Sequence, residues 1–318
     1  MATTFSTRIH THGLDEASDA LAPWLSVRYV QLERGMPCST GALARLDRLT
    51  VGHVGADRNK VEWLDVPRGQ RLIVVPVCGR ARLGTTAIEA GQVIVAHGPT
   101  QLVEFTGRDY RAFFVSFPHP GIAQVRVLRE PDVQIETFES CALRMIDAAE
   151  QGTPGLLAVA DALKTLCDAW SRAGEDEDGT LPASTARCQA AVRARQYIDE
   201  HLDRPLTLTN VCQASYASPR ALEYGFREIF GVSPIAYIRC ARLSRVRCEL
   251  CSSAYTSGRI TQLAMKWGFW HLSQFSKDYY DLFGELPSIT LARASGRIAR
   301  SGGARVETAA RVAVAEGL

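Results

Sequence analysis

Four polar side chains near the carboxy-terminal end of this 318-residue chain recur at one fixed interval: Arg220, Glu223, Tyr224 and Arg227 are answered 53 residues later by Ser273, Ser276, Lys277 and Tyr280. On a helix of about 100° per residue the first four share one quadrant, while Leu222, Gly225, Phe226 and Ile229 fall opposite. The second set divides in the same way, with Phe275, Tyr279 and Leu282 on its far side. A guanidinium can pair bidentately with guanine, a carboxylate or phenol can meet a base edge, and hydroxyl and ammonium groups can reach bases or phosphate. Leu272 adds an apolar group suited to a thymine methyl, and His271 and Gln274 flank the surface. A lone exposed Arg or Lys is ordinarily just a solvated helix face. Two matching faces at one interval point instead to non-covalent reading of a nucleic-acid duplex.

The surrounding residues supply the elements that would hold these faces. Leu208, Val211, Cys212 and Ala214 lead into a turn at Tyr216 to Ser218, then a helix from Pro219 that closes at Phe230, Gly231 and Pro234. Ile260, Leu263 and Ala264 lead in the same way to Gly268 and Phe269, then a helix from Leu272 that closes at Phe283, Gly284 and Pro287. The offset is 52 before each turn and 53 after it, so the second turn carries one extra residue. Ser218 is placed to cap its helix with Pro219 at the first helical position. Tyr216, Phe226, Phe230, Phe269, Phe275, Tyr279 and Phe283 are expected in the core, with Trp267 and Trp270 left open. Between the copies Ser233 and Pro234 start another helix, apolar at Ile235, Ile238, Leu243, Val246 and Leu250. It would act as a rigid spacer setting two recognition helices about one DNA turn (~34 Å) apart.

Two runs, SPRALEYGFREIFGVSPIAYIRCARL from Ser218 and ITQLAMKWGFWHLSQFSKDYYDLFGELPS from Ile260, make residues 187–293 resemble the DNA-binding domain of AraC/XylS-type transcription regulators. The resemblance implies a seven-helix module with two helix-turn-helix units that activates, and in some members represses, transcription at a promoter or operator in double-stranded DNA, with RNA polymerase as a partner. By motif position it assigns DNA contact to Arg220, Glu223 and Tyr224 in the first unit and to Leu272, Ser273, Ser276 and Lys277 in the second, with Arg227 towards phosphate. Tyr224 and Tyr280 depart from the basic residues common at those positions. For the amino-terminal part the resemblance implies a cupin-like β-barrel that binds a small-molecule effector and supports a homodimer.

The expected fold class is therefore α+β: an N-terminal cupin-like β-barrel with two helices, then an all-α DNA-binding domain with two helix-turn-helix units joined by a spacer helix. Short strands are expected at Leu49 to Val54, Arg71 to Val77, Gln92 to Ala96, Leu102 to Phe105 and Arg111 to Phe117, divided by turn residues. In the last of these, Ala112, Phe114 and Ser116 would face one way and Phe113, Val115 and Phe117 the other. Helical spacing follows at Phe138 to Ile146 and Leu156 to Trp170, and such a pair could cover the barrel or join two subunits. Four consecutive acids, Glu175 to Asp178, followed by Gly179 and Pro182, mark a linker. The expected domains are 1–172 for effector binding and dimerisation, 173–186 as flexible acidic linker, 187–294 for DNA, and 295–318 as a mobile tail with weak helical potential around Val306 to Val314.

Charge agrees with that division. Residues 187–293 carry 14 Lys or Arg against 9 Asp or Glu, within a chain whose formal net charge is only +2. A basic module beside an acidic one suggests that one of them approaches phosphates. The small total speaks against unspecific packing of a chromosome. The polar start, Met1 to His12, reads as a leader without a secretory signal, no apolar run is long enough to span a bilayer, and nine scattered cysteines fit a reducing compartment, so a cytoplasmic location is expected. Cys248 and Cys251 form a C-x-x-C without the partners of a zinc site. His53, His97 and His119 are isolated in sequence and His10 and His12 lie in the leader, so no metal site, cofactor or catalytic residue is expected. The alternative is a bifunctional protein whose β-domain is a small-molecule enzyme with autoregulatory DNA binding, but residues 1–172 contain no recognisable triad, phosphate loop or carboxylate pair.

Overall fold

The computed structural model describes residues 2–153, 155–176, 185–252, 258–296 and 305–313. In chain order the amino-terminal part runs β1 (Ala2–His12), α1 (Leu14–Leu21), β2 (Ser26–Gln31), β3 (Cys38–Leu46), β4 (Leu49–Ala56), β5 (Lys60–Val66), β6 (Gln70–Cys78), β7 (Ala81–Leu83), β8 (Thr86–Ile88), β9 (Gln92–His97), β10 (Thr100–Thr106), β11 (Tyr110–Pro118) and β12 (Gln124–Arg129). Helices α2 (Asp132–Gln151) and α3 (Leu156–Asp176) follow. Seven more make up the carboxy-terminal part: α4 (Ala186–Glu200), α5 (Leu208–Ser215), α6 (Pro219–Phe230), α7 (Pro234–Cys251), α8 (Arg259–Lys266), α9 (Leu272–Phe283) and α10 (Pro287–Ala294). The last element is β13 (Arg305–Ala313).

The strands form two antiparallel sheets, one in the order β12-β9-β6-β11-β4-β3-β1-β13 and one in the order β2-β5-β10-β7-β8. They face each other as an open, cupin-like double sheet rather than a closed barrel. Alternation assigns each strand two apolar faces. Leu43, Leu72, Val74, Ile94, Ala112 and Phe114 point inward to meet Leu64, Leu102 and Leu83 of the smaller sheet. Ala42, Ala44, Ile73, Val75, Phe113, Val115 and Phe117 point outward and are covered by Phe138, Met145, Leu163 and Trp170 of α2 and α3. The helix pair thus packs on the larger sheet.

Several expectations change. The segment read as a polar leader is β1, which buries polar residues on both faces, Thr4 and Ser6 on one and Thr7 and Thr11 on the other, so hydropathy gave no strand signal. The weak helical potential near Val306 is overridden by β13, which pairs with β1 from Ala2↔Ala313 to His10↔Arg305 at the sheet edge where a mobile tail was expected. Helix α3 continues to Asp176, so the start of the expected linker is helical, while residues 177–184 lie outside the described residues. No helix among the described residues is long and apolar enough to cross a membrane.

The two parts of the chain share a core. Val30, Val61, Trp63 and Phe105 on the outer face of the smaller sheet pack against Ala191, Val211, Leu222, Phe226, Ile229 and Phe230 of the first helical unit. The Phe105 and Phe230 rings meet edge to face, with centroids 6.4 Å apart. The second helical unit is joined by charge. The buried Arg247 of α7 donates to Asp15 Oδ1 of α1 at 2.7 Å and to Glu285 Oε1 at 2.9 Å. Glu285 also accepts from Thr290 Oγ1 and pairs with Arg293, both at 2.7 Å. Burial alone would raise Asp15, but the Arg247 charge and its hydrogen bond outweigh it and hold the carboxyl below its usual range. A second tie runs from the end of β2 and the loop after it, where Gln31 Nε2 donates to the Leu282 carbonyl at 2.6 Å and the Gly35 amide donates to the Asp281 carbonyl at 3.2 Å.

Inside the double sheet Lys60 and Glu62 form a buried ion pair, with Glu104 beside them. Burial and then the Glu62 carboxylate push Glu104 up to about 8, and its Oε1 has no hydrogen-bond partner. A carboxyl raised in this way carries no penalty below its unfolded value near 4.5, and destabilises the fold progressively as pH rises to about 8. Glu104→Gln should therefore match the parent in thermal stability at pH 5 and exceed it by several degrees at pH 9. An equal difference at both values would place the proton elsewhere. Asp15→Ala, which strands a buried guanidinium, should cost about 3–5 kcal/mol in denaturant unfolding near neutral pH. Because the Asp15 pKa is depressed, that gap should be complete above pH 3.8 and shrink as pH falls further. A cost below about 1 kcal/mol would mean that Glu285 alone satisfies Arg247.

Candidate nucleic-acid interface

Both helix-turn-helix units are built as their sequence patterns require. Thr207 and Asn210 form a capping box that starts α5. Ser218 accepts from the Ala221 amide at 3.2 Å with Pro219 as first helical residue, and Ser233 accepts from the Ala236 amide at 3.1 Å to begin α7. Between α5 and α6 the chain reverses at Tyr216, φ 54°, a left-handed conformation that aims its ring into solvent. Tyr216 is 88 % exposed, so its expected core role is corrected: the turn geometry, not its aromatic character, decides where it points. Of the two tryptophans left open, Trp267 is partly buried and donates Nε1 to Glu249 at 2.9 Å, while Trp270 is 71 % exposed.

Recognition helix α6 buries Leu222, Gly225, Phe226, Ile229 and Phe230. Gly225 is required by proximity: a Cβ there would stand 2.4 Å from the Arg187 carbonyl oxygen of α4. The opposite face presents Arg220, Tyr224 and Arg227 exposed and Glu223 half-buried. Within that face Arg220 lies 5.7 Å from the Tyr224 ring centroid, and Arg227 donates to Glu223 at 2.8 Å. Glu223 is thus already engaged, and a cytosine amino group would have to compete with Arg227 for it. Arg220 is the freer cation of the pair.

In α9 the buried side consists of Phe275, Tyr279, Leu282 and Phe283. Leu272, Ser273, Lys277 and Tyr280 are exposed and Ser276 is half-buried. Lys277 has no ion pair or side-chain hydrogen bond among the described residues, whereas the neighbouring Gln274 donates to Asp278 at 2.7 Å. An unengaged ammonium at the centre of an exposed helix face can meet phosphate or a base edge without first breaking a contact. All eight residues expected to touch DNA therefore lie on the two outward helix faces, four on each.

The carboxy-terminal ends of both helices are turned towards the β-domain. Phe230 closes α6 against Phe105, and the Asp281 and Leu282 carbonyls of α9 are held by Gly35 and Gln31. At Gly284 a Cβ would approach the Met36 amide nitrogen to 3.1 Å. These interdomain contacts, which no sequence pattern announced, tie each reading helix to the β-domain and leave its first turns exposed.

Residues 211–293 match the family model described as helix-turn-helix domain. The XylDLEGF operon transcriptional activator of Pseudomonas putida is 36% identical over 107 residues, which cover 34% of this chain and 33% of the relative. The XylDLEGF operon transcriptional activator 2 of the same organism is 37% identical over 100 residues, 31% of this chain and 64% of the relative. The alignment thus spans about a third of the length of the first of these relatives. Among solved structures, a probable AraC family transcriptional regulator from Rhodopseudomonas palustris CGA009 is 33% identical, covering 33% of this chain and 96% of that one, with a TM-score of 0.31. ToxT from Vibrio cholerae O395 is 13% identical, covering 86% of this chain and 98% of that one, with a TM-score of 0.33. The carboxy-terminal part of the chain is thus a helix-turn-helix domain similar to that of the AraC/XylS-type regulators.

Proposed function

We propose that this chain is a cytoplasmic, sequence-specific transcription regulator, an activator that binds double-stranded promoter or operator DNA beside RNA polymerase and responds to a small-molecule effector. The observation that carries the reading is the pair of outward helix faces, Arg220 with Tyr224 on α6 and Ser273 with Lys277 on α9, held in one body by α7. The activator role is drawn from the relatives named above. Nothing in those relatives supports the enzyme alternative. Residues 1–172 take the effector-binding and dimerising part and 187–294 the DNA-binding part; Val133, Leu143 and Leu157, exposed on α2 and α3, offer a surface for a homodimer.

The effector site fits best between the domains. The cavities inside the double sheet, lined by Tyr29, Glu62, Glu104 and Tyr110 among others, are only about 30 Å³ each. A cavity of about 170 Å³ lies instead where α1 and β2 meet α7, with Val30, Trp63, Leu202 and Phe283 on its apolar wall. Arg28 and Arg245 both line it, and neither has a hydrogen bond or ion pair among the described residues. Burial, and then the neighbouring Arg245 charge, lower Arg28 from its usual value. The acids nearby are already engaged: Asp15 with Arg247, and Asp199 with Arg195 at 2.7 Å and the Tyr237 hydroxyl at 3.0 Å. Two guanidinium groups that lack a hydrogen-bonded acid, one of them 4.8 Å from the Trp63 ring centroid, beside an apolar wall favour a small anion with an apolar body, a carboxylate above all.

Arg220→Ala and Lys277→Ala should each weaken binding to the selected operator by about 1–3 kcal/mol while leaving the melting temperature nearly unchanged. Parental affinity in both variants would mean that the wrong faces have been assigned. In thermal-shift measurements aromatic and aliphatic carboxylates should stabilise the protein more than their neutral amides, and Arg28→Ala combined with Arg245→Ala should abolish the difference. Equal shifts from acid and amide would exclude an anionic effector at this cavity.

A further inference from the structure

We propose that His10, His12 and Cys38 form a binding site for a divalent transition ion of the zinc class, placed at the root of the contacts that hold the second helix-turn-helix unit. The ligand atoms of the three residues lie within 4.8 Å of one another, and none of the three is buried. The strand geometry explains why. His10 and His12 are separated by two on β1 and point away from the core, whereas the intervening Thr11 and the preceding Ile9 are buried. Cys38 is the β3 residue directly opposite His12 in the antiparallel register, with Thr40 opposite His10. The two imidazole centroids are 5.1 Å apart in an edge arrangement. The backbone behind the thiol is fixed by Asp57, whose Oδ1 accepts from the Cys38 amide at 2.8 Å.

Two imidazole nitrogens and one thiolate are the donor set that zinc prefers, and three protein ligands leave one tetrahedral position for water or another small ligand. Calcium and magnesium, which take oxygen ligands, do not fit this set. The separation in sequence hid the site, since histidines in an apparent polar leader and one scattered cysteine form no spacing motif; the β1–β3 register brings them together.

The position of the site gives it a consequence beyond binding. His12 is followed by Gly13 and then by α1, which carries Asp15 to Arg247. Cys38 is preceded by the segment in which the Pro37 carbonyl accepts from the Gly13 amide at 2.9 Å and the Gly35 amide reaches Asp281. Each metal-bearing strand therefore leads directly into one of the two ties to the second unit. An ion bridging the strands would hold both segments together and stiffen the seat of α9, so occupancy would regulate the DNA reading proposed above. Binding itself does not depend on that reading and is measured without DNA.

The test is titration of Co²⁺, then Zn²⁺, into the full-length protein freed of metal by chelation and kept reduced, followed by hydrogen exchange with and without Zn²⁺. One equivalent of Co²⁺ should produce a thiolate-to-metal charge-transfer band that Zn²⁺ displaces. Cys38→Ser should remove the band, and His10→Ala, at a position outside the core, should weaken binding about 100-fold or more while the melting temperature of the metal-free protein stays parental. Amides of residues 13–16 and 33–36 should exchange more slowly with Zn²⁺ in the parent and not in His10→Ala. A band that persists in Cys38→Ser, or His10→Ala binding like the parent, would overturn the site. Tight binding without protection of those amides would overturn its link to the second unit.

Discussion

Arg247 is the hinge on which the arrangement of this molecule depends. A guanidinium buried between an acid from the β-domain, Asp15, and an acid from the helical domain, Glu285, is tolerable only while both partners are in place. Its Coulombic and hydrogen-bonding gain is spread over a network that continues through Thr290 to Tyr279 and through Glu285 to Arg293. Such a network adds less net stability than an equal volume of apolar packing would, but it punishes misplacement severely. It therefore suits a joint that must be specific in geometry and able to respond.

The two helix-turn-helix units are joined to the β-domain by different physics. The first shares a continuous apolar core with the outer face of the smaller sheet, through Trp63 and Phe105 against Phe226 and Phe230. The second keeps its own core, from Leu243 to Leu291, and meets the β-domain through Arg247 and the hydrogen bonds that the Gln31 side chain and the Gly35 amide donate to α9 carbonyls. Apolar contact is indifferent to small charges, whereas a polar joint can be shifted by a ligand that binds one arrangement better than another. In the proposed mechanism the first unit is the fixed reader and the second the adjustable one. The cavity holding Arg28 and Arg245 lies beside that adjustable joint, with Arg247 and Phe283 in its wall.

Much of the helical domain was legible in the sequence because its signals are local and repeated. Ser218 and Ser233 cap helices where expected, and the buried faces of α6 and α9 follow from their helical spacing. The five strands expected between Leu49 and Phe117 were legible because each is a short apolar run bounded by turn residues, with alternation visible in Tyr110 to Phe117. What escaped was set by partners distant in the chain. The β1 strand buries threonine and serine and so shows no apolar alternation, while β5 alternates Val61 and Trp63 with Lys60 and Glu62 but buries the polar pair as well, which no hydropathy pattern announces. Asp15 and Arg247, 232 positions apart, carry no mark that relates them. Tyr216 was misplaced because its backbone conformation, rather than its side-chain chemistry, directs the ring outward.

The proposed function requires the two reading helices to engage one face of DNA as a single unit. The direct measurement is selection of bound sequences from a random duplex library by the full-length protein, followed by alignment of the enriched molecules. Two short blocks of preferred bases should emerge at one fixed spacing, their centres about 10 bp apart, as two successive major-groove segments require. A single block, or two blocks at variable spacing, would contradict the proposed function, because either result would mean that α6 and α9 do not read DNA together.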